Sequence, residues 1–157
     1  MRPTVTLLAD SPTSIEAVAE MRWHEWGHPP EPVDPAWWLE TTIREAGREG
    51  LPVTFVARGS ADEVLGAVGL DTYDLDERHD TSPWVTGMIV RPDRRREGVG
   101  RALMVHLEGW AADHGIHEAW VGTDQAAGFY RRCGWVDQET FTTSSGQDIT
   151  VLYKRLQ

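Results

Sequence analysis

At 157 residues, 40% of them hydrophobic and 25% charged, the chain has the size and composition of one globular domain (1–157) with a substantial core. Its net charge of -10 argues against nucleic acid, whose phosphates are held by basic surfaces, and fits a cationic partner. With no apolar run of about 18 residues, Asp10 interrupting the first apolar stretch and Cys133 as the single cysteine, the expectation is a cytoplasmic protein with no membrane contact and no internal disulfide.

Residues 3–9 read as a short strand, and Asp10-Ser11-Pro12 supplies helix-start chemistry before an amphipathic segment from about Thr13 to Trp26, stopped by Gly27, Pro29 and Pro30. Asp34 as N-cap with Pro35 in the first turn predicts a second helix to about Ala46. Strands are expected at Val53–Ala57, Val64–Asp71 and Trp84–Val90, the last two separated by an acidic loop. Val99, Leu103, Leu107 and Trp110 then recur at helical spacing up to about Gly115. A strand at Glu118–Val121, a short helix from about Gln125 to Arg132, and strands at Val136–Thr142 and Ile149–Arg155 around Ser144-Ser145-Gly146-Gln147 complete the order. This β-α-α-β-β-β-α-β-α-β-β succession implies an α/β domain with a mixed, mostly antiparallel sheet of six to seven strands flanked by about four helices.

The most informative stretch is Val90 to Met104, V-R-P-D-R-R-R-E-G-V-G-R-A-L-M. An apolar strand end (Met88, Ile89, Val90) runs into a proline, three arginines and two glycines, and then into a helix. Gly98 and Gly100 leave backbone N–H groups unshielded, the helix start adds unpaired N–H donors and a favourable dipole, and Arg94, Arg95, Arg96 and Arg101 add charge. That is a phosphate cradle. A Walker loop is excluded because no Gly-Lys-Ser/Thr closes it, and a dinucleotide fingerprint because its third small residue is Leu103.

The pattern Arg95-x-x-Gly98-x-Gly100 resembles the R/Q-x-x-G-x-G/A loop of the GNAT acyltransferase superfamily. A second segment, T-D-Q-A-A-G-F-Y-R-R-C-G-W from Thr123 to Trp135, resembles the family's N-x-x-A-x-x-Φ-Y-x-x-x-G-F/W through Ala126, Phe129, Tyr130, Gly134 and Trp135. The resemblance implies the GNAT fold, acetyl-coenzyme A as acyl donor, and coenzyme contacts from Met88, Ile89, Val90, Arg95, Arg96, Glu97, Gly98, Val99, Gly100, Arg101, Thr123 and Phe129. It departs from the family at Thr123, where an asparagine is frequent, at Arg96, frequently glycine, and at the acidic Glu97 beside a phosphate site.

Tyr130 is the candidate catalytic acid: a phenol with an ordinary pKa near 10 is protonated at neutral pH and can donate to a departing thiolate. Its alternative role is a packing residue. The resemblance implies direct attack by an amine in a ternary complex, with the oxyanion held by a backbone N–H near Ile89. Cys133 offers a covalent route, set against a role as a small buried side chain. Trp84-Val85-Thr86-Gly87-Met88 carries no carboxylate to act as base, so the base candidates are Asp71, Asp74, Glu77, His79, His24 and Glu25. The loop acids also fit a solvated cluster.

A small-molecule amine is the expected acceptor, with Trp26, Trp84 and Asp71 as an aromatic, acid-rimmed wall, although indoles also serve as core. Peptide amines stay open as acceptors, and a second copy of the chain as a partner. A non-catalytic coenzyme A-binding sensor is the alternative that the acid-free strand suggests. His24-Glu25-Trp26-Gly27-His28 spells H-E-x-x-H, a zinc-hydrolase motif, but Gly27, Pro29 and Pro30 argue against one helix carrying both histidines, so no metal is expected.

Overall fold

The computed structural model describes residues 2–156. Among them, seven strands and four α-helices run β1 (Thr4–Leu7), α1 (Ile15–Trp26), α2 (Pro35–Arg44), β2 (Val53–Arg58), β3 (Val64–Asp71), β4 (Trp84–Val90), α3 (Val99–Asp113), β5 (Glu118–Thr123), α4 (Ala127–Arg132), β6 (Val136–Thr142) and β7 (Asp148–Arg155). The sheet order is β1-β2-β3-β4-β5-β7-β6. The expected α/β architecture is present. No helix among the described residues is long and apolar enough to cross a membrane.

Local chemistry explains the shifted boundaries. Asp34 accepts the Ala36 N–H at 2.9 Å and starts α2 as expected. Asp10-Ser11-Pro12 does not cap α1: Leu8–Asp10 and Pro12–Ser14 form 3-10 turns tied by a buried Ser11–Ser14 hydroxyl bond of 2.7 Å, which delays the helix to Ile15. In the same way Thr123 Oγ1 accepts the Ala126 N–H at 2.9 Å and holds the chain in a bend, so α4 begins at Ala127.

The chain divides into two compact bodies, one holding the chain up to Gly69 with Gly87–Leu107, the other Leu70–Thr86 with the chain from Glu108 onward. In the first, β1 pairs antiparallel with β2 from Thr4↔Arg58 to Leu7↔Phe55. Its core gathers Leu8, Val18, Val56, Ala67 and Ile89, with Ile15, Met21 and Trp26 packed against it. The fully buried leucine and valine side chains each contribute about 1.5–3 kcal/mol by leaving water. Gly66 lets β3 approach β4 closely, since a Cβ there would stand 2.5 Å from the Ile89 carbonyl oxygen. In the second body, β4 pairs parallel with β5 through Trp84↔Trp120 and Val85↔Val121, and β7 pairs antiparallel with β5 and β6. Trp84, Trp120, Ile149 and Val151 form its core.

Candidate active site

Within the first body, β4 turns out of the extended conformation at Gly87, whose φ of +57° lies in the region that favours glycine. Met88, Ile89 and Val90 follow, with Ile89 buried in the core and the other two half-buried. Their backbone lies outside the β4–β5 register, which leaves it eligible to pair with an extended ligand. After a 3-10 turn at Pro92–Arg94 the chain enters the cradle, in which Arg96 (φ +67°) and Gly98 (φ +85°) are both left-handed. Alternation of that kind curves successive N–H groups into an anion-binding concavity. The space where a Gly98 Cβ would stand holds no atom within 4 Å, and buried Val99 pins the start of α3 beside it. The loop therefore fits a pyrophosphate. A cleft of about 690 Å³ opens beside the same turn of α3, lined by Glu97, Gly98, Arg101 and Val105 among others.

The left-handed Arg96 explains one departure from the family pattern. The position keeps the conformation glycine would adopt, at a cost of about 1–3 kcal/mol for a side chain held there. Glu97 is accounted for too: its carboxylate accepts from Arg94 Nε at 3.0 Å, and Arg94 also reaches Glu63 at 3.5 Å. The bond to Glu97, ahead of the Glu63 charge, raises the Arg94 pKa. Arg94, expected among the phosphate ligands, is thus engaged in neutralising Glu97 and Glu63. Arg95 Nε donates to the Val90 carbonyl at 3.3 Å and its Nη2 lies 3.4 Å from Glu25. Arg96 and Arg101 are exposed, and Gly100 lies in the first turn of α3.

In the second body α4 carries Tyr130, 4% exposed, edge-on to Phe129 at 5.0 Å and to Trp135 at 6.2 Å. Burial, then the negative charge of Asp74, then Cys133 push its phenol well above the ordinary tyrosine range. The group stays protonated at neutral pH, as an unshifted phenol also would. The Tyr130 carbonyl accepts from the N–H groups of Cys133 and Trp135, both at 3.0 Å, and Gly134 (φ +91°) closes the helix. Lys154 Nζ donates to the Cys133 carbonyl and to Glu108 Oε1, each at 2.7 Å. Thr123 uses its hydroxyl oxygen to brace the bend before α4.

Among the acceptor-wall residues, Asp71 accepts the Thr72 N–H at 2.7 Å, and half-buried Trp26 lies 6.3 Å from Trp38. Trp84 is not a wall residue: it is 0% exposed, sits in the core and donates its indole N–H to the Thr81 carbonyl at 2.8 Å. The base candidates separate as well. Glu77 accepts the Ser144 N–H at 2.9 Å, His79 stacks on Tyr73 at 4.1 Å, and His24 lies 3.6 Å from Glu20. Asp74 is the candidate whose charge acts on Tyr130. The zinc alternative fails on geometry, because α1 ends at Trp26 with Gly27 as its cap, His28 lies outside the helix and Glu25 faces Arg95. Among the described residues no three His, Cys, Asp or Glu side chains are placed to hold a metal ion.

Two residues of note were absent from the sequence expectations. Arg22 is 3% exposed, its Nη1 bonded to Glu45 Oε1 at 2.9 Å and to Thr42 Oγ1 at 3.3 Å. Burial lowers its pKa and Glu45 works against that, yet a guanidinium keeps its proton. Its Nε and Nη2 are buried without partners, although an unmet donor costs about 1–3 kcal/mol. A Cβ on Gly87 would stand 3.3 Å from Nη2. For Gly87 a signal was present, since a glycine inside a strand marks a bulge, whereas α1 has almost no apolar stripe against which Arg22 would stand out.

Known proteins bear on this arrangement. The model of the acetyltransferase (GNAT) family matches residues 15–135. An aminoglycoside N(6')-acetyltransferase type 1 from Stenotrophomonas maltophilia is 28% identical over 141 residues, covering 85% of this chain and 88% of that protein. The crystal structure of an aminoglycoside 6'-N-acetyltransferase complexed with coenzyme A superposes with a TM-score of 0.79 at 14% identity, over 98% of this chain and 97% of the other. A chimeric spermidine N-acetyltransferase from Vibrio cholerae gives 0.74 at 16% identity, over 99% and 96%. A cradle loop and a tyrosine segment in the family's order, on the family's fold and under its sequence model, make this chain a member of the GNAT acetyltransferase family, whose acyl donor is acetyl-coenzyme A.

Proposed function

We propose that the protein transfers an acetyl group from acetyl-coenzyme A to a primary amine of a small cationic molecule. The observation that carries the chemistry is the Tyr130 phenol, buried on α4 inside the tyrosine segment and following the cradle in the family's order. For the acceptor class, support comes from the net charge of -10 and from relatives that act on aminoglycosides and on spermidine. A single cysteine and the acidic balance fit a cytoplasmic setting.

Acetyl-coenzyme A supplies an activated thioester. The backbone N–H groups of residues 95–101, with Arg95, Arg96 and Arg101, bind its pyrophosphate, Arg95 exchanging Glu25 for phosphate. The backbone of Met88, Ile89 and Val90 pairs with the pantetheine arm, and an N–H near Ile89 faces the developing oxyanion. Phe129 packs along the arm, Thr123 holds the bend before α4, and Glu97 contributes its backbone while Arg94 neutralises its carboxylate. Asp74 takes a proton from the bound ammonium to free the amine for attack, and Trp26 and Asp71 orient that amine. On collapse the Tyr130 hydroxyl donates its proton to the departing thiolate and is reprotonated by the proton the new amide nitrogen sheds.

The test is calorimetric titration with acetyl-coenzyme A followed by free-thiol release across aminoglycosides, polyamines, amino acids and peptide N-termini. Micromolar binding with fastest release on a polycationic amine is expected. Binding with no release on any amine would instead make the protein a coenzyme A sensor.

A further inference from the structure

We propose that Arg22 is a positioning residue for acetyl transfer, setting the turn of β4 at Gly87 and through it the Met88–Val90 backbone; this rests on the reading that this backbone receives the acetyl-coenzyme A arm. Arg22 reaches the strand from α1, and its guanidinium is fixed from one end only. Nη1 donates to Glu45 and Thr42, and the Thr42 hydroxyl donates onward to the Trp38 carbonyl at 2.8 Å, so α2 and the residue just after it set the orientation of the group. The opposite edge is aimed at β4. From the place a Gly87 Cβ would take, Nη2 is 3.3 Å away, Cζ 3.6 Å and Nε 3.7 Å. Nε and Nη2 have no partner and no solvent access.

A buried ion pair that served packing alone could be replaced by apolar side chains of similar volume. Here the Nε–Cζ–Nη2 side of the guanidinium stands against the left-handed residue of β4, so guanidinium and turn define one another: any side chain at Gly87 would press on Arg22 and would resist φ +57°. Because the fork is sealed from solvent, no acceptor can touch it, and it acts through the strand.

Arg22→Met and Arg22→Lys, compared with wild type per folded molecule, test this. Arg22→Met is expected to bind coenzyme A within about 3-fold of wild type while kcat falls about 10- to 100-fold and KM for acetyl-coenzyme A barely changes. Arg22→Lys, which keeps charge without the fork, recovers part of kcat. Gly87→Ala gives a second entry should Arg22→Met not fold, with the same kcat loss and no further loss when combined with Arg22→Lys. Variants that melt earlier yet turn over at the wild-type rate, or that lose coenzyme affinity in step with kcat, overturn the inference while leaving the acetyltransferase reading intact. A wild-type protein that binds no acetyl-coenzyme A, or acetylates no amine, overturns that reading and the Arg22 role together.

Discussion

Each of the two compact bodies pairs a cation with a glutamate, Arg22 buried in one and Lys154 half-buried in the other, and the two arrangements end differently. In the second, Lys154 holds Glu108 Oε1 and the Cys133 carbonyl, while Trp135 Nε1 donates to Glu108 Oε2 at 3.2 Å. That network is closed, and it fixes the end of the six-residue helix that carries Tyr130. In the first, Arg22 meets Glu45 and Thr42 with one nitrogen and presents two unmet donors to the turn in β4. A closed network specifies where an element sits, and removing any member should cost stability. An open one costs stability while intact, which is the kind of local cost that a demand made elsewhere would account for, here by the backbone that would meet the thioester.

The largest effect is expected where the closed network delivers its chemistry. Tyr130→Phe keeps the ring between Phe129 and Trp135 but removes the hydroxyl, and kcat should fall at least about 10²-fold with the fold intact. Thiol-release assays on variants with wild-type circular dichroism would show this, and unchanged turnover would mean that the leaving thiolate takes its proton from solvent. Next comes the network itself. Lys154→Met leaves Glu108 without its cation; Lys154 is 26% exposed and Glu108 17%, so the expected loss is about 2 kcal/mol rather than the 3–5 of a sealed pair. Urea unfolding would measure it, and adding Glu108→Gln should return most of the loss. If Lys154→Met instead left stability untouched, the contrast between the bodies would collapse.

The closed side of the comparison was more legible in the sequence than the open side. Tyr130, Gly134 and Trp135 stand in a spaced motif, and β3, β4 and β6 match their expected bounds because strong turn residues bracket them. Arg22 was hidden because in one dimension an arginine on a helix reads as surface. Its burial depends on Glu45 and Thr42, 23 and 20 residues away, which no local pattern brings together. Trp84 misled in the opposite direction: an indole at the head of β4 reads as a pocket wall, while its pairing opposite Trp120 makes it core. The pairing of Arg94 with Glu97 follows i,i+3 spacing and was open to view, although three adjacent arginines invite reading them as one patch.

The open side is sharpened by a smaller change. Arg96 accepts left-handed strain in the cradle as Arg22 accepts unmet donors behind it. Arg96→Gly should remove the strain, offset by the greater freedom glycine gives the unfolded chain, for a net gain of about 0.5–1 kcal/mol in thermal unfolding. The same change should raise KM for acetyl-coenzyme A a few-fold at low salt, an effect that shrinks as salt screens the lost charge.

The smallest effect is read at alkaline pH. In the folded protein the Tyr130 phenol titrates well above its unfolded value of about 10. Its neutral form therefore contributes stability that is fully present below about pH 10 and is lost as pH rises through the folded-state pKa, because the unfolded chain releases the proton first. Tyr153, raised chiefly by its hydrogen bond to Glu118, contributes in the same direction and is unchanged by a substitution at position 130. Urea unfolding at about pH 9 and about pH 10.5 should thus show a shallower decline for Tyr130→Phe than for wild type. An equally steep decline in both would mean that the phenol is solvated in the folded state. An unshifted phenol is still protonated at neutral pH, so the donor role of Tyr130 would then rest on the kinetics of Tyr130→Phe alone, without support from burial.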